Sequence, residues 1–164
     1  MTSIEELLPT LERVVVFTGA GVSAESGIST FRAPDGIWAK FNPQELANLS
    51  AFMANPERVW QWYEYRRSVV NDAKPNAAHY AIADLERLVN RVDVITQNVD
   101  GLHRRAGSSH VHELHGSLFE HRCLECGRPY ELSAEETEVP HCKECGGLIR
   151  PGVVWFGEEL PVDT

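Results

Sequence analysis

Apolar positions along this chain follow two rhythms. Val14-Val15-Val16-Phe17 is an unbroken apolar run, the pattern of a parallel strand buried on both faces. Val92-Asp93-Val94-Ile95-Thr96 predicts a second such strand and His110 to Leu114 a third. Val153-Val154-Trp155-Phe156 predicts a further strand that rejoins the same sheet. Between them the spacing becomes helical. Asn55-Pro56 offers an N-cap followed by proline at the first helical position, and the helix it opens should run to about Asn71. Pro75 breaks the chain and Asn76 caps the next helix, where Ala78, Ala81, Ile82, Leu85 and Val89 recur on one face. Glu5 to Leu8 predicts a short leading helix. Phe31 to Lys40, with Pro34-Asp35-Gly36 inside it, reads as a loop.

Strands alternating with helices in this order predict an α/β fold with a Rossmann-like parallel sheet and helices on its faces. Two segments interrupt it. Residues 1–35, 76–118 and 151–164 should form the Rossmann-like domain, 36–75 a helical insertion, and 119–150, which holds the pairs Cys123-x-x-Cys126 and Cys142-x-x-Cys145, a small zinc-binding module.

Composition narrows the picture. At 43% hydrophobic residues the chain can bury a core, so disorder is not the default. No apolar run reaches the roughly 18 residues of a membrane span. The acidic Met1-Thr2-Ser3-Ile4-Glu5-Glu6 start lacks the basic-then-apolar order of a signal peptide, so a cytoplasmic placement is the simplest. A net charge of −9 argues against direct nucleic-acid binding, which draws on a Lys/Arg surface.

All four cysteines lie in Cys123-x-x-Cys126 and Cys142-x-x-Cys145, with fifteen residues between the pairs. Such paired units indicate structural zinc held by four thiolates, with no open position for catalysis. A redox dithiol would need only one pair. A nucleic-acid-binding zinc ribbon sits poorly with Glu125, Glu131, Glu135, Glu136, Glu138 and Glu144 around the cysteines.

After the first strand, Gly19-x-Gly21-x-x-Ala24 matches the dinucleotide fingerprint: a tight turn, close backbone approach to phosphate, and a helix N-terminus facing the anion. An ordinary strand-to-helix turn fits the same residues. A dehydrogenase would place an acidic residue about 20 positions on, whereas this chain enters a loop and a helical insertion. His110, His112 and His115 raise a metal triad, but His112 and His115 are three apart near a strand end, unlike a helical HExxH site. Val59, Tyr63, Arg66 and Val70 share one helix face. An arginine in an apolar stripe needs an anion, either a protein carboxylate at the core's edge or a ligand.

The run Gly19-Ala20-Gly21-Val22-Ser23-Ala24-Glu25-Ser26-Gly27-Ile28-Ser29-Thr30-Phe31-Arg32 resembles the sirtuin signature. So do Thr96-Gln97-Asn98-Val99-Asp100-Gly101-Leu102-His103, His112-Glu113-Leu114-His115-Gly116 and Val153-Val154-Trp155-Phe156-Gly157-Glu158, in the family's order together with the cysteine pairs. Ser29 departs from the proline common there. The resemblance implies an NAD-dependent protein-lysine deacylase that releases nicotinamide, free lysine and O-acyl-ADP-ribose. It implies NAD contacts from Gly19, Ala20, Gly21, Ser23, Glu25, Phe31, Arg32, Gln97, Asn98 and Asp100. His115 would be the base for a ribose hydroxyl, and Val154, Phe156 and Gly157 would bind the acyl-lysine protein or peptide. Trp62-Tyr63-Glu64-Tyr65-Arg66-Arg67 resembles the branch preferring succinyl and malonyl lysine, in which Tyr63 and Arg66 would hold the acyl carboxylate. An ADP-ribosyltransferase and a silent zinc-stabilised fragment are the alternatives. A complete sirtuin continues beyond the equivalent of Thr164, so the resemblance also implies an unfinished sheet edge and weakened NAD binding.

Overall fold

A computed structural model describes residues 4–31, 34, 36–133 and 136–161. The chain opens with α1 (Ile4–Leu7) and a 3-10 turn, then β1 (Arg13–Thr18). Four helices follow: α2 (Ile37–Lys40), α3 (Pro43–Leu46), α4 (Leu49–Ala54) and α5 (Pro56–Asp72). α6 (Ala77–Asp84), β2 (Arg91–Thr96), α7 (Leu102–Ala106) and β3 (Val111–Glu113) come next, and β4 (Gly116–Cys123) and β5 (Ile149–Val153) close the order. None of the helices among the described residues is long and apolar enough to cross a membrane.

β1, β2 and β3 form a parallel sheet in that order, with Thr18 opposite Thr96 and Thr96 opposite Glu113. Its three carboxyl ends are therefore level, and the segments that leave them meet on one side. β4 and β5 make a separate antiparallel ribbon with Gly116 opposite Val153 and Cys123 opposite Ile149.

Helix boundaries follow local chemistry. The Asn55 side chain accepts from Arg58 N at 3.0 Å and Pro56 takes the first helical position. Asn76 accepts from Ala78 N at 2.9 Å and His79 N at 3.4 Å to start α6. α5 buries Val59, Trp60, Trp62, Tyr63 and Val70 against Phe52, Leu118, Ile149, Val153 and Trp155. The main core thus lies between the helical insertion and the β4–β5 ribbon.

Four expectations are corrected or refined. β1 is not buried on both faces, since Val15 is 54% and Phe17 61% exposed. Among the described residues β1 pairs only with β2, and nothing covers that face. The stretch from Val153 to Phe156 does not rejoin the parallel sheet. The strand stops at Val153, after which Val154 N bonds the His115 carbonyl and Phe156 N the Ala47 carbonyl, each at 2.9 Å. The helix expected after the glycine turn is a 3-10 helix of seven residues, Ala20–Ser26, ended by Gly27 at φ 84°. The expected loop from Phe31 also closes in helix α2, anchored by Ile37 N on the Thr30 carbonyl at 2.9 Å. Asp35 and Arg32 lie outside the described residues.

Candidate active site

The segments leaving β1, β2 and β3 carry the polar groups of the site. Where β1 and β2 end, Thr18 Oγ1 donates to Thr96 Oγ1 at 2.8 Å, and Asn98 N bonds the same Thr96 oxygen at 3.0 Å. Asn98 Nδ2 then reaches the Gly19 carbonyl and Ser23 Oγ, both at 3.1 Å. Ser23 Oγ donates to Asp100 Oδ2 at 2.7 Å, and Asp100 Oδ1 accepts from Leu102 N at 2.9 Å. Ser23, Asn98 and Asp100 are all buried, so their orientations are set before any ligand arrives. A Cβ at Gly19 or Gly21 would meet nothing within 4 Å. The turn therefore keeps open space beside its backbone, which suits a phosphate.

His115 follows β3. Its Nδ1 lies 2.9 Å from the Gln97 carbonyl oxygen. A cavity of about 500 Å³ brings His115 together with Ala20, Phe31, Gln97, Asn98, Tyr63, Arg66, Val154, Phe156 and Gly157. A smaller one of about 100 Å³ shares Ala20, Phe31, Arg66 and Asn98 with it and adds Ser23 and Asp100. Glu25 is exposed, and Glu25, Gly19 and Gly21 line neither cavity, whereas Ala20 between the two glycines lines both.

Arg66 and Arg67, neighbours on α5, differ. Arg67 pairs with Glu64 and stacks on Trp60 at 4.9 Å. Arg66 stands over the rings of Phe31, Trp62 and Tyr63 at 5.4, 4.8 and 5.4 Å. Among the described residues it has no ion pair. Burial pulls the Arg66 pKa below its ordinary value, and Tyr63 and Asp100 oppose that shift. Burial raises the Tyr63 phenol in turn. A cation held among aromatic rings at a cavity wall attracts an anion.

The four cysteine sulfurs lie within 4.8 Å of one another. Cys123 and Cys145 sulfurs are 3.4 Å apart and Cys126 and Cys142 3.8 Å. Tetrahedral zinc with bonds of about 2.3 Å sets its sulfurs about 3.8 Å apart, so the cluster fits that ion. Backbone N–H of Cys126 lowers the Cys123 thiol to about 7, and those of Glu144 and Cys145 lower Cys142. The cysteines gather at the Cys123–Ile149 end of the β4–β5 ribbon and line neither cavity.

A profile described as the Sir2 family matches residues 19–164. The chain belongs to the Sir2 family. NAD-dependent protein deacylase 2 of Pyrobaculum aerophilum is 54% identical over 163 residues, covering 99% of this chain and 66% of that protein. The NAD-dependent protein deacylase of Aquifex aeolicus is 54% identical over 153 residues, covering 92% of this chain and 64% of its own length. Among solved structures, a Sir2 homologue–NAD complex superposes with a TM-score of 0.84 at 51% identity, covering 99% of this chain and 65% of that one. A mutant Sir2 homologue bound to ADP-ribose gives 0.89 at 52% identity, covering 98% and 67%. This sirtuin chain spans about two thirds of the length of the relatives it matches.

Some of the sirtuin's site was not read from its sequence. His79 and His103 are fully buried with ring centroids 4.8 Å apart. His103 Nε2 sits 2.9 Å from Thr18 Oγ1, so the ring supports the end of β1. Burial lowers both imidazole pKa values. Asn76, expected only as a helix cap, also donates from Nδ2 to the Val22 carbonyl at 2.8 Å and Ser26 Oγ at 3.0 Å, tying α6 to the glycine turn. Trp155 donates from Nε1 to the Tyr63 hydroxyl at 2.9 Å. Hydrophobic patterning gives no sign of these contacts.

Proposed function

We propose that this protein removes acyl groups from protein lysines with NAD as co-substrate, and that it prefers succinyl and malonyl groups to acetyl. Bound NAD supplies an electrophilic ribose carbon and a leaving nicotinamide. The chain's residues then divide the work. Gly19, Ala20 and Gly21 leave room for the pyrophosphate. Ser23, Asn98 and Asp100, fixed by their mutual hydrogen bonds, present polar groups to the nicotinamide and its ribose without reorganising. Phe31 walls the same space, with Arg32 beside it in sequence. Glu25 lines neither cavity.

His115 is the proposed base. A carbonyl can only accept, so the Gln97 contact places the ring proton on Nδ1 and leaves the Nε2 lone pair free to take a proton from a ribose hydroxyl. Val154, Phe156 and Gly157 line the acyl-lysine entrance in the same cavity. Cys123, Cys126, Cys142 and Cys145 would hold zinc as a structural ion, apart from the chemistry. Free cysteines in two such pairs suit a reducing compartment, which supports a cytoplasmic setting.

One observation carries the acyl preference: Arg66 faces the His115 cavity with aromatic rings around it and makes no ion pair among the described residues, while Arg67 beside it has Glu64. A succinyl or malonyl carboxylate completes the missing pair, with Tyr63 as a second donor. The test is turnover of succinyl-lysine and acetyl-lysine peptides with NAD, followed by nicotinamide and free lysine. Arg66→Met should abolish the succinyl reaction and spare the acetyl one, whereas equal loss on both refutes the clamp. Nicotinamide release without free lysine would instead identify an ADP-ribosyltransferase.

A further inference from the structure

Tyr63 and Trp155 stand 92 residues apart in sequence, and both are only 2% exposed. The Trp155 indole N–H donates to the Tyr63 hydroxyl oxygen at 2.9 Å. An indole nitrogen has no lone pair to offer, so it cannot receive the phenol proton. The Arg66 guanidinium lies 5.4 Å from the centroid of the Tyr63 ring, and it too carries donors and no acceptor. Burial raises the phenol pKa, so Tyr63 keeps its proton. With the indole donor occupying one side of the hydroxyl oxygen and no acceptor on Arg66, that proton is left to point into the cavity that Tyr63, Arg66 and Trp155 line together.

The indole has little freedom to do otherwise. Phe52 packs at 5.3 Å between ring centroids, and the Arg150 guanidinium lies 3.6 Å above the Trp155 ring. Arg150 pairs with Glu158, whose Oε2 accepts from Trp155 N at 2.8 Å. The ring and backbone of Trp155 are thus held by separate partners, and its N–H has one place to go.

We propose that Trp155 is a specificity-determining positioning residue. By donating to the Tyr63 hydroxyl it commits the phenol proton to the acyl chain, so the site selects chains ending in an acceptor, above all an ionised carboxylate. The inference rests on the carboxylate-clamp reading of Tyr63 and Arg66. Trp155 acts through Tyr63 rather than on the acyl group. Replacing Trp155 by Phe keeps an aromatic ring between Phe52 and Arg150 but frees the Tyr63 oxygen, and the phenol is no longer obliged to face the cavity.

The experiment measures binding of an ε-N-succinyl-lysine peptide and an acetyl-lysine control by calorimetry, with thermal melts alongside. The proteins are the wild type, Trp155→Phe, Tyr63→Phe, the double variant and Arg66→Met. Trp155→Phe should weaken succinyl binding about tenfold, the scale of one hydrogen bond to a charged group, and acetyl binding by less than about twofold. In the Tyr63→Phe background the second change should add nothing, because the phenol that transmits it is gone. Tyr63→Phe alone should show the same selective loss, which keeps the idea testable if Trp155→Phe melts early. Equal weakening of both peptides by Trp155→Phe, or additive losses in the double variant, overturns the positioning role; the clamp survives if Arg66→Met still discriminates. Succinyl binding indifferent to Arg66→Met, or absent in the wild type, overturns the clamp and this proposal with it.

Discussion

The His115 ring is held with Nδ1 2.9 Å from the Gln97 carbonyl oxygen, so the residue that leaves β2 sets the tautomer of the residue that leaves β3. If Nε2 is the base, His115→Ala should lower deacylation by about 10²- to 10⁴-fold, the range of general-base catalysis. The side chain is only partly buried, so the melting temperature should stay close to that of the wild type. Kinetics and a thermal melt on the same sample check both parts.

Zinc removal should act on the ribbon first. Cys123 and Cys142 are buried in the core cluster that joins the ribbon to α5, and a lobe of this size lacks a core of its own. Elemental analysis should give about one zinc per chain, the ratio of a four-thiolate site. Cys142→Ser or a strong chelator should lower the melting temperature, and retention of full stability without metal would contradict the assignment.

Acid should destabilise the fold in two stages. His79 and His103 have folded pKa values below the unfolded value of about 6.5. The unfolded chain therefore binds protons that the folded chain refuses, and stability falls as pH drops below that point. Asp93 is held well below the usual carboxylate range by Arg91 first, with His112 and Arg13 adding to it. Arg13 and Arg91 meet it at 2.7 and 2.8 Å. Its contribution is present above about 4 and lost as pH falls further. Urea unfolding at several pH values should show Asp93→Asn less stable than the wild type near neutrality, with the gap closing below about 4.

Gly116 adjoins His115 at φ 71°, and an added Cβ would collide with the Gly152 carbonyl oxygen across the ribbon. The obstacle is backbone and cannot swing away. Gly116→Ala should cost more than about 2 kcal/mol of stability, read by denaturant unfolding.

The exposed face of β1 predicts self-association. Phe17 and Val15 stand out on a strand paired on one side only among the described residues. Light scattering should show concentration-dependent growth that Phe17→Lys suppresses with little change in melting temperature.

Much of this was visible in the sequence where the cause is local. Asn55-Pro56 and Asn76 place the starts of α5 and α6 because capping is decided by neighbouring residues. The cysteine spacing announced the cluster because thiolates at that spacing have one common use. β1 was misjudged because a valine run reports its own hydrophobicity and not what lies across from it. The 3-10 helix after β1 ends after seven residues at Gly27, which takes the left-handed backbone, and the fingerprint does not encode that length. The Tyr63–Trp155 bond spans 92 positions, and no periodicity reaches that far.

β4 runs eight residues from Gly116, the neighbour of His115, to Cys123. The strand is a rod with the proposed base at one end and the metal knuckle at the other, about 3.3 Å per residue in between. Anyone who wished to build a metal-free version of this protein would therefore have to do more than trim a loop. The far end of the rod would need a new anchor, a tight hairpin or a larger apolar patch, or the near end would lose its aim.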